Sequence, residues 1–176
     1  MKIYRIKDDY IDYLRKYEPK VLENKIEKRP YLGVVYNINS YEYFVPLSSP
    51  KPKHKKMKNT KDFHKISGGT YGAINFNKII PAYSDYLILY DINNEPDIRY
   101  RNLLQNQYSS ILLIRDTIRD KAKNIYNLYC TPDEDLTSND LKVKNRCCNF
   151  LLLEKLCDQY QQIDISTSEV ASTEQK

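Results

Sequence analysis

Two runs, Tyr31-Leu-Gly-Val-Val-Tyr-Asn-Ile38 and Tyr41-Glu-Tyr-Phe-Val-Pro-Leu47, separated only by Asn39-Ser40, decide how this chain is read. Both are rich in the β-branched and aromatic side chains that suit a pleated surface, and both are short for a helix. The two-residue connection between them predicts a β-hairpin. Pro46 has no amide hydrogen to give to a ladder, so the end of the second strand belongs at a sheet edge or a bulge.

Working outward toward the N-terminus, Val21 to Arg29 is charged and reads as a loop. Tyr10, Tyr13, Leu14 and Tyr17 fall at i, i+3, i+4 and i+7 and predict a short helix with one aromatic face, started by Asp8 as N-cap and stopped before Pro19. Met1 to Ile6 alternates and reads as a strand. On the other side of the hairpin, Gly68-Gly69 punctuates the chain, and Gly72–Ile80 and Tyr86–Tyr90 are β-like. Five or six short strands in the first 95 residues give a small, curled antiparallel sheet.

The character changes at Asn93-Asn94-Glu95-Pro96. From about Asp97 to Tyr129 the apolar positions keep a helical rhythm, which reads as one long helix or two with a break. A last helix is expected from about Asn149 to Tyr160. The fold class is therefore α+β, with a long helix and further helices on the sheet. One domain spans residues 1–160, and 161–176 is read as a disordered polar tail.

The 176 residues are enough for one buried core, and 41% apolar with 29% charged is ordinary composition for a globular protein. Tyrosine stands out, with 17 Tyr against 4 Phe and no Trp. Tyrosine suits half-buried surfaces that meet polar partners; an AT-rich coding sequence would produce the same bias. No apolar run nears the ~20 residues of a membrane span, and the start MKIYRIKDDY lacks a secretory apolar core. Cys130, Cys147, Cys148 and Cys157 have no CxxC spacing and no nearby histidine, so they read as reduced thiols in a cytoplasmic protein.

Charge is concentrated in one place. Lys51 to Lys65 holds seven lysines and one acid, Asp62, a local excess of +6 in a chain of net charge +5, leaving the remainder near −1. Such a run can be a plain solvated loop. This one also contains both histidines, His54 and His64, and follows the hydroxyl pair Ser48-Ser49, which favours a polyanion site. In Pro46-Leu-Ser-Ser-Pro-Lys-Pro-Lys-His54 two prolines fix the backbone on either side of Lys51.

Carboxylates are scattered, with none beside the serine pair, so no metal site and no cofactor are expected. There is no GxxxxGK[ST] phosphate loop and no GxSxG elbow. Metal-free RNA cleavage needs only what is present. The ribose 2′-OH attacks its own phosphate, cations and hydroxyls stabilise the phosphorane, and an acid protonates the leaving 5′-oxygen.

Several stretches, in this order, resemble one family. They are Tyr10…Tyr13-Leu14, Lys28-Arg29-Pro30-Tyr31-Leu32-Gly33-Val34-Val35, Tyr43-Phe44-Val45-Pro46-Leu47-Ser48-Ser49-Pro50-Lys51, Lys53-His54-Lys55-Lys56-Met57-Lys58-Asn59-Thr60, Gly72-Ala73-Ile74-Asn75-Phe76 and Cys147-Cys148-Asn149-Phe150 with Leu152-Leu153-Glu154. Together they resemble the ToxN/AbiQ family of type III toxin–antitoxin endoribonucleases. The resemblance covers roughly residues 1–160. It implies a Kid/MazF-like curled barrel and metal-independent RNA cleavage, often at adenine-rich sites. It also implies inhibition by a tandem-repeat RNA antitoxin that closes with the toxin into a cyclic assembly, target RNAs of the cell or of phage, and a setting in abortive infection.

Carried over residue by residue, the resemblance makes Ser48, Ser49, Lys51 and Arg29 the candidate catalytic set. Some relatives have Thr where Ser48 stands and Lys where Arg29 stands, and since arginine does not deprotonate, a base role at that position would pass to Lys51. Tyr10 and Tyr31 are candidate RNA contacts, Tyr10 by stacking on a base or touching a phosphate. His64 is a candidate proton donor and Asn75 a further site residue. Lys53, His54, Lys55, Lys56 and Lys58 are assigned to the antitoxin backbone. Two other readings stay open from the residues alone: a non-catalytic RNA-binding module that uses the basic loop as a phosphate clamp, and a scaffold protein whose loop is merely solvated.

Overall fold

The hairpin forms as read. In a computed structural model that describes residues 1–173, with side chains through Asp164, strand β2 (Tyr31–Ile38) pairs antiparallel with β3 (Tyr41–Ser48) across the Asn39-Ser40 turn. Asn39 takes the left-handed backbone conformation, φ 52°, that this tight turn requires and that asparagine tolerates better than most residues. The register shifts between Leu32 and Tyr36. At that bulge Gly33 is needed for space, because a Cβ there would lie 2.0 Å from the Phe44 ring.

Around this hairpin the sheet is built from β1 (Lys2–Ile6), β4 (Phe63–Lys65), β5 (Ala73–Asn75), β6 (Ile80–Pro81) and β7 (Leu87–Leu89), in the order β4-β5-β3-β2-β1-β7 with β6 also on β3. Every pairing is antiparallel. Among the described residues β4 and β7 end the path without pairing to each other, so the sheet is curled but open and does not close into the expected barrel. Two details depart from the sequence reading. The stretch Gly72–Ile80 is cut by a turn at Phe76–Lys78 into β5 and β6, and β4 arises inside the lysine-rich run.

Helix α1 (Asp8–Tyr17) buries Tyr10, Ile11 and Leu14. Asp8 is its first residue and not its cap: the carboxylate accepts from the Asn24 side chain at 2.7 Å and the Glu27 amide at 3.0 Å, tying the Val21–Arg29 loop to the helix start. The long helical stretch is two helices, α3 (Ile98–Leu113) and α4 (Arg115–Cys130), broken at Ile114; between β3 and β4 lies the short α2 (Pro52–Lys56). Asp97 caps α3 by accepting from the amides of Arg99 and Tyr100. After α5 (Ser138–Arg146), the final helix α6 (Phe150–Thr173) runs well past Tyr160, so most of the stretch read as a disordered tail is helical; residues 174–176 lie outside the described residues.

The core lies between the sheet and these helices and is aromatic as well as aliphatic. Four tyrosine hydroxyls are satisfied by two carboxylates one turn apart on α6. Glu154 accepts from Tyr43 at 2.7 Å and Tyr126 at 2.8 Å; Asp158 accepts from Tyr41 at 2.7 Å and Tyr83 at 2.6 Å. Cys147, Cys148 and Cys157 are buried free thiols, and burial pushes the first two up to about 12. Among the described residues, no helix is long and apolar enough to cross a membrane.

Candidate active site

The register of the hairpin sets the site. Tyr31 pairs with Pro46, and the Leu47 amide donates to the Pro30 carbonyl at 2.9 Å, so one step further Arg29 and Ser48 meet where β2 begins and β3 ends. A cleft of about 950 Å³ opens there. Its lining includes Arg29, Ser48, Ser49, Lys51 and Asn75, and also Arg5, Lys25, Lys28, Glu95, Asp97 and Tyr100.

Each of the first group is held by its neighbours. Ser48 pairs with Ala73 of β5, and its Oγ accepts from Asn75 Nδ2 at 2.9 Å, which leaves the serine O–H free to donate toward a ligand. Gly72 makes this approach of β5 to β3 feasible. Its φ is +100°, and a Cβ would lie 2.0 Å from the Ser48 carbonyl oxygen. Ser49 and Lys51 are exposed, and Lys51 sits between two prolines in extended backbone, φ −137°. The Arg29 Nε donates to the Glu23 carbonyl at 2.7 Å, which fixes the guanidinium and leaves its terminal nitrogens for the cleft.

The loop carrying Arg29 is strained. Lys25, Ile26 and Glu27 take φ of 60°, 58° and 52°, the left-handed region that costs an L-residue roughly 1 kcal/mol or more each. Asp8 and Asn24 hold it: besides the bonds to Asp8, Asn24 Nδ2 donates to the Ile6 carbonyl at 2.6 Å. The result aims Lys25, Lys28 and Arg29 at one cavity. With Arg5 and Lys51 they make five cations against two carboxylates, Glu95 and Asp97, so the cleft is net positive. A lining of this charge has the chemistry to bind a phosphodiester and to stabilise the extra negative charge of a phosphorane.

Some expected site residues fall elsewhere. Tyr10 is fully buried, stacked on Tyr86 with ring centroids 4.7 Å apart, and donates to the Pro81 carbonyl at 2.8 Å; it belongs to the core and does not face RNA. Tyr31 is also buried, which corrects its assignment as an RNA contact. Burial pushes its hydroxyl up despite the nearby Arg29 charge. His54 points inward from α2 against Phe63, so it does not join the lysines as a backbone contact. Burial, and then Lys53 and Lys51, hold its imidazole below the usual value. His64 is half-buried and outside the cleft lining, and burial together with Lys121 lowers it as well. The structure therefore places His64, the candidate proton donor, apart from Ser48, Ser49, Lys51 and Arg29. Lys53, Lys55, Lys56 and Lys58 are exposed on and after α2, beyond the cleft lining.

The other wall was not legible in the sequence. Arg5 comes from β1, whose Arg5 pairs with Ile88 of β7, and Glu95, Asp97 and Tyr100 follow β7 at the start of α3. The Arg5 guanidinium lies 4.1 Å from the centre of the Tyr90 ring and 3.5 Å from Glu95, and the Tyr90 hydroxyl donates to the same Glu95 oxygen. Burial raises the Tyr100 hydroxyl, with Glu95 adding to it and Arg5 and Arg29 opposing. Among the described residues no three His, Cys, Asp or Glu side chains gather as metal ligands.

Residues 2–158 match the model of a family described as toxin ToxN, type III toxin–antitoxin system. The chain belongs to that family. It is 31% identical over 167 residues to the endoribonuclease ToxN of Bacillus thuringiensis subsp. kurstaki, covering 93% of this chain and 86% of that protein. Among solved structures, a type III toxin selectively inhibited by a non-coding RNA pseudoknot superposes with a TM-score of 0.80 at 30% identity, covering 91% of this chain and 97% of the other. AbiQ, a lactococcal anti-phage endoribonuclease of the type III toxin–antitoxin system, gives a TM-score of 0.74 at 25% identity over 92% and 98% of the two chains. The family's fold is thus kept over nearly the whole of this chain.

Proposed function

We propose that this chain is a cytoplasmic endoribonuclease toxin that cuts RNA without a metal ion and is restrained by a tandem-repeat RNA antitoxin. The observation that carries the reading is the meeting of Ser48, Ser49, Lys51 and Arg29 in one net-positive cleft, in a family whose members include the endoribonucleases ToxN and AbiQ.

In the proposed reaction the scissile phosphate sits against Ser48, Ser49 and Arg29. The ribose 2′-oxygen attacks phosphorus as its proton passes to a base, for which Lys51 is the candidate. Negative charge on the phosphorane is met by the serine hydroxyls and the Arg29 guanidinium. The bond from phosphorus to the 5′-oxygen then breaks, and that oxygen takes up a proton. The products are a 2′,3′-cyclic phosphate and a 5′-hydroxyl. Lys53, Lys55, Lys56 and Lys58 form an exposed basic face beside the cleft that suits the antitoxin's phosphates. The biological setting is defence against phage, as for AbiQ.

The test is incubation of the purified chain with a mixed-sequence RNA in EDTA, followed by end mapping. Cyclic phosphate and 5′-hydroxyl ends, lost in Ser49→Ala and Lys51→Ala, support the reading. Intact RNA with salt-sensitive binding would make the protein a binding module instead.

A further inference from the structure

The cleft is much larger than a phosphate needs, and its second wall has a chemistry of its own. At about 950 Å³ it lies near the upper end for ligand sites, so it has room for a nucleoside beside the scissile phosphate. Its charged lining is five cations and two carboxylates; Asp97 is spent on capping α3, which leaves the carboxylate of Glu95 as the one that needs a reason. Glu95 is only 8% exposed, and it lines the cleft.

Its two oxygens are unequally occupied. Oε2 is held by the Tyr90 hydroxyl and faces Arg5 at 3.5 Å, and that guanidinium is braced on the Tyr90 ring. Arg5 therefore balances the carboxylate charge, so Glu95 can stand near a bound phosphate without repelling it. Oε1 has one donor, the Asp97 amide at 3.3 Å, longer than an ordinary N–H···O bond. An oxygen acceptor with spare capacity is left in a cleft shaped for a nucleotide. Tyr100, half-buried in the same lining, supplies an aromatic face for stacking.

We propose that Glu95 is a specificity-determining residue that selects, at a nucleotide next to the cut, a base presenting an exocyclic amino group, with Tyr100 as the stacking face. The subsite rests on the nuclease reading above. A carboxylate oxygen accepts from the amino group of adenine or cytosine and repels the carbonyl that inosine or uracil offers at the same place.

The substitution Glu95→Gln makes a sharp test. Tyr90 donates to Oε2 and the Arg5 guanidinium faces the same oxygen, so the glutamine carbonyl takes that place and its NH₂ replaces Oε1, giving up only the long contact from the Asp97 amide. The reader then changes from acceptor to donor, and the preference inverts. Matched RNAs carry adenosine or inosine, and in a second pair cytidine or uridine, at each position beside the mapped cut, and single-turnover rates are compared. The wild-type chain should favour the amino-bearing member by about tenfold at one position, Glu95→Gln should favour the carbonyl member, and Tyr100→Ala should slow both members alike. A wild-type chain that cuts both members equally overturns the subsite whether or not the variant folds, as does a Glu95→Gln chain with unchanged preference. A wild-type chain that cuts nothing overturns the nuclease reading, and the subsite with it.

Discussion

The two ends of β3 face opposite requirements. At one end the Tyr43 hydroxyl is sealed against Glu154, with Tyr126 on the same oxygen, and Tyr41 and Tyr83 share Asp158 one turn on. At the other end, Ser48 keeps its own O–H unspent, Ser49 and Lys51 are exposed, and five cations share a cleft with two carboxylates. The first arrangement is polar chemistry used for stability, with every partner inside the molecule. The second is polar chemistry left incomplete, which a ligand must finish. The same strand therefore has a structural end and an open end, the one proposed to be reactive.

That contrast is broken most severely at the structural end. Glu154→Ala leaves the Tyr43 and Tyr126 hydroxyls buried without an acceptor, which should cost about 4 kcal/mol, roughly a thousandfold in the folding equilibrium. Urea unfolding measures it, and a loss under 1 kcal/mol would mean that the interior pairing is dispensable. The opposite behaviour is expected of Ser49→Ala. Cleavage should fall by about 10²-fold or more while the urea midpoint stays put.

A substitution between the two regions should show both effects. Gly72→Ala puts a methyl group against the Ser48 carbonyl at a φ that alanine resists. A loss of about 2 kcal/mol and about tenfold slower cleavage are expected together. Cleavage unchanged at reduced stability would show that the position of Ser48 does not matter.

The smallest effect is in the Asp62–Arg146 pair beneath the basic run, bonded at 3.0 and 3.2 Å. Burial alone would raise the Asp62 carboxyl, but the bonds from Arg146 and Thr60 outweigh it and hold the group below its usual value. A depressed carboxyl contributes stability above the unfolded value near pH 4 and loses it as pH falls through the lower folded value. The stability gap between the native chain and Arg146→Ala should therefore be full at pH 7 and shrink below about pH 4. A gap that does not change with pH would assign the effect of Arg146 to packing.

The same contrast explains what could be read in advance. β2 and β3 were legible almost to the residue, because β-branched and aromatic content and a two-residue turn agree locally. The sheet edge expected from Pro46 is not found: β3 is interior, with β2 on one side and β5 and β6 on the other. Ser48, Ser49, Lys51 and Arg29 were legible through their motif, and hairpin register brings them together. Tyr10 and His54 were misplaced because a tyrosine or histidine looks the same in sequence whether its ring faces in or out. Arg5, Glu95 and Tyr100 were missed for a different reason. Arg5 lies some ninety residues from Glu95 and Tyr100 and meets them only through the β1–β7 pairing, which no local pattern announces. The extension of α6 past Tyr160 was missed because its polar composition resembles a solvated tail.

The central claim is that the reactive end uses the RNA's own 2′-hydroxyl as nucleophile. It is tested most directly by replacing the single ribose 5′ to the mapped cut with 2′-deoxyribose in an otherwise unchanged RNA, in EDTA. The account predicts that cutting at that bond disappears while binding is retained and neighbouring sites are still cut. Undiminished cleavage at the deoxy position would contradict it.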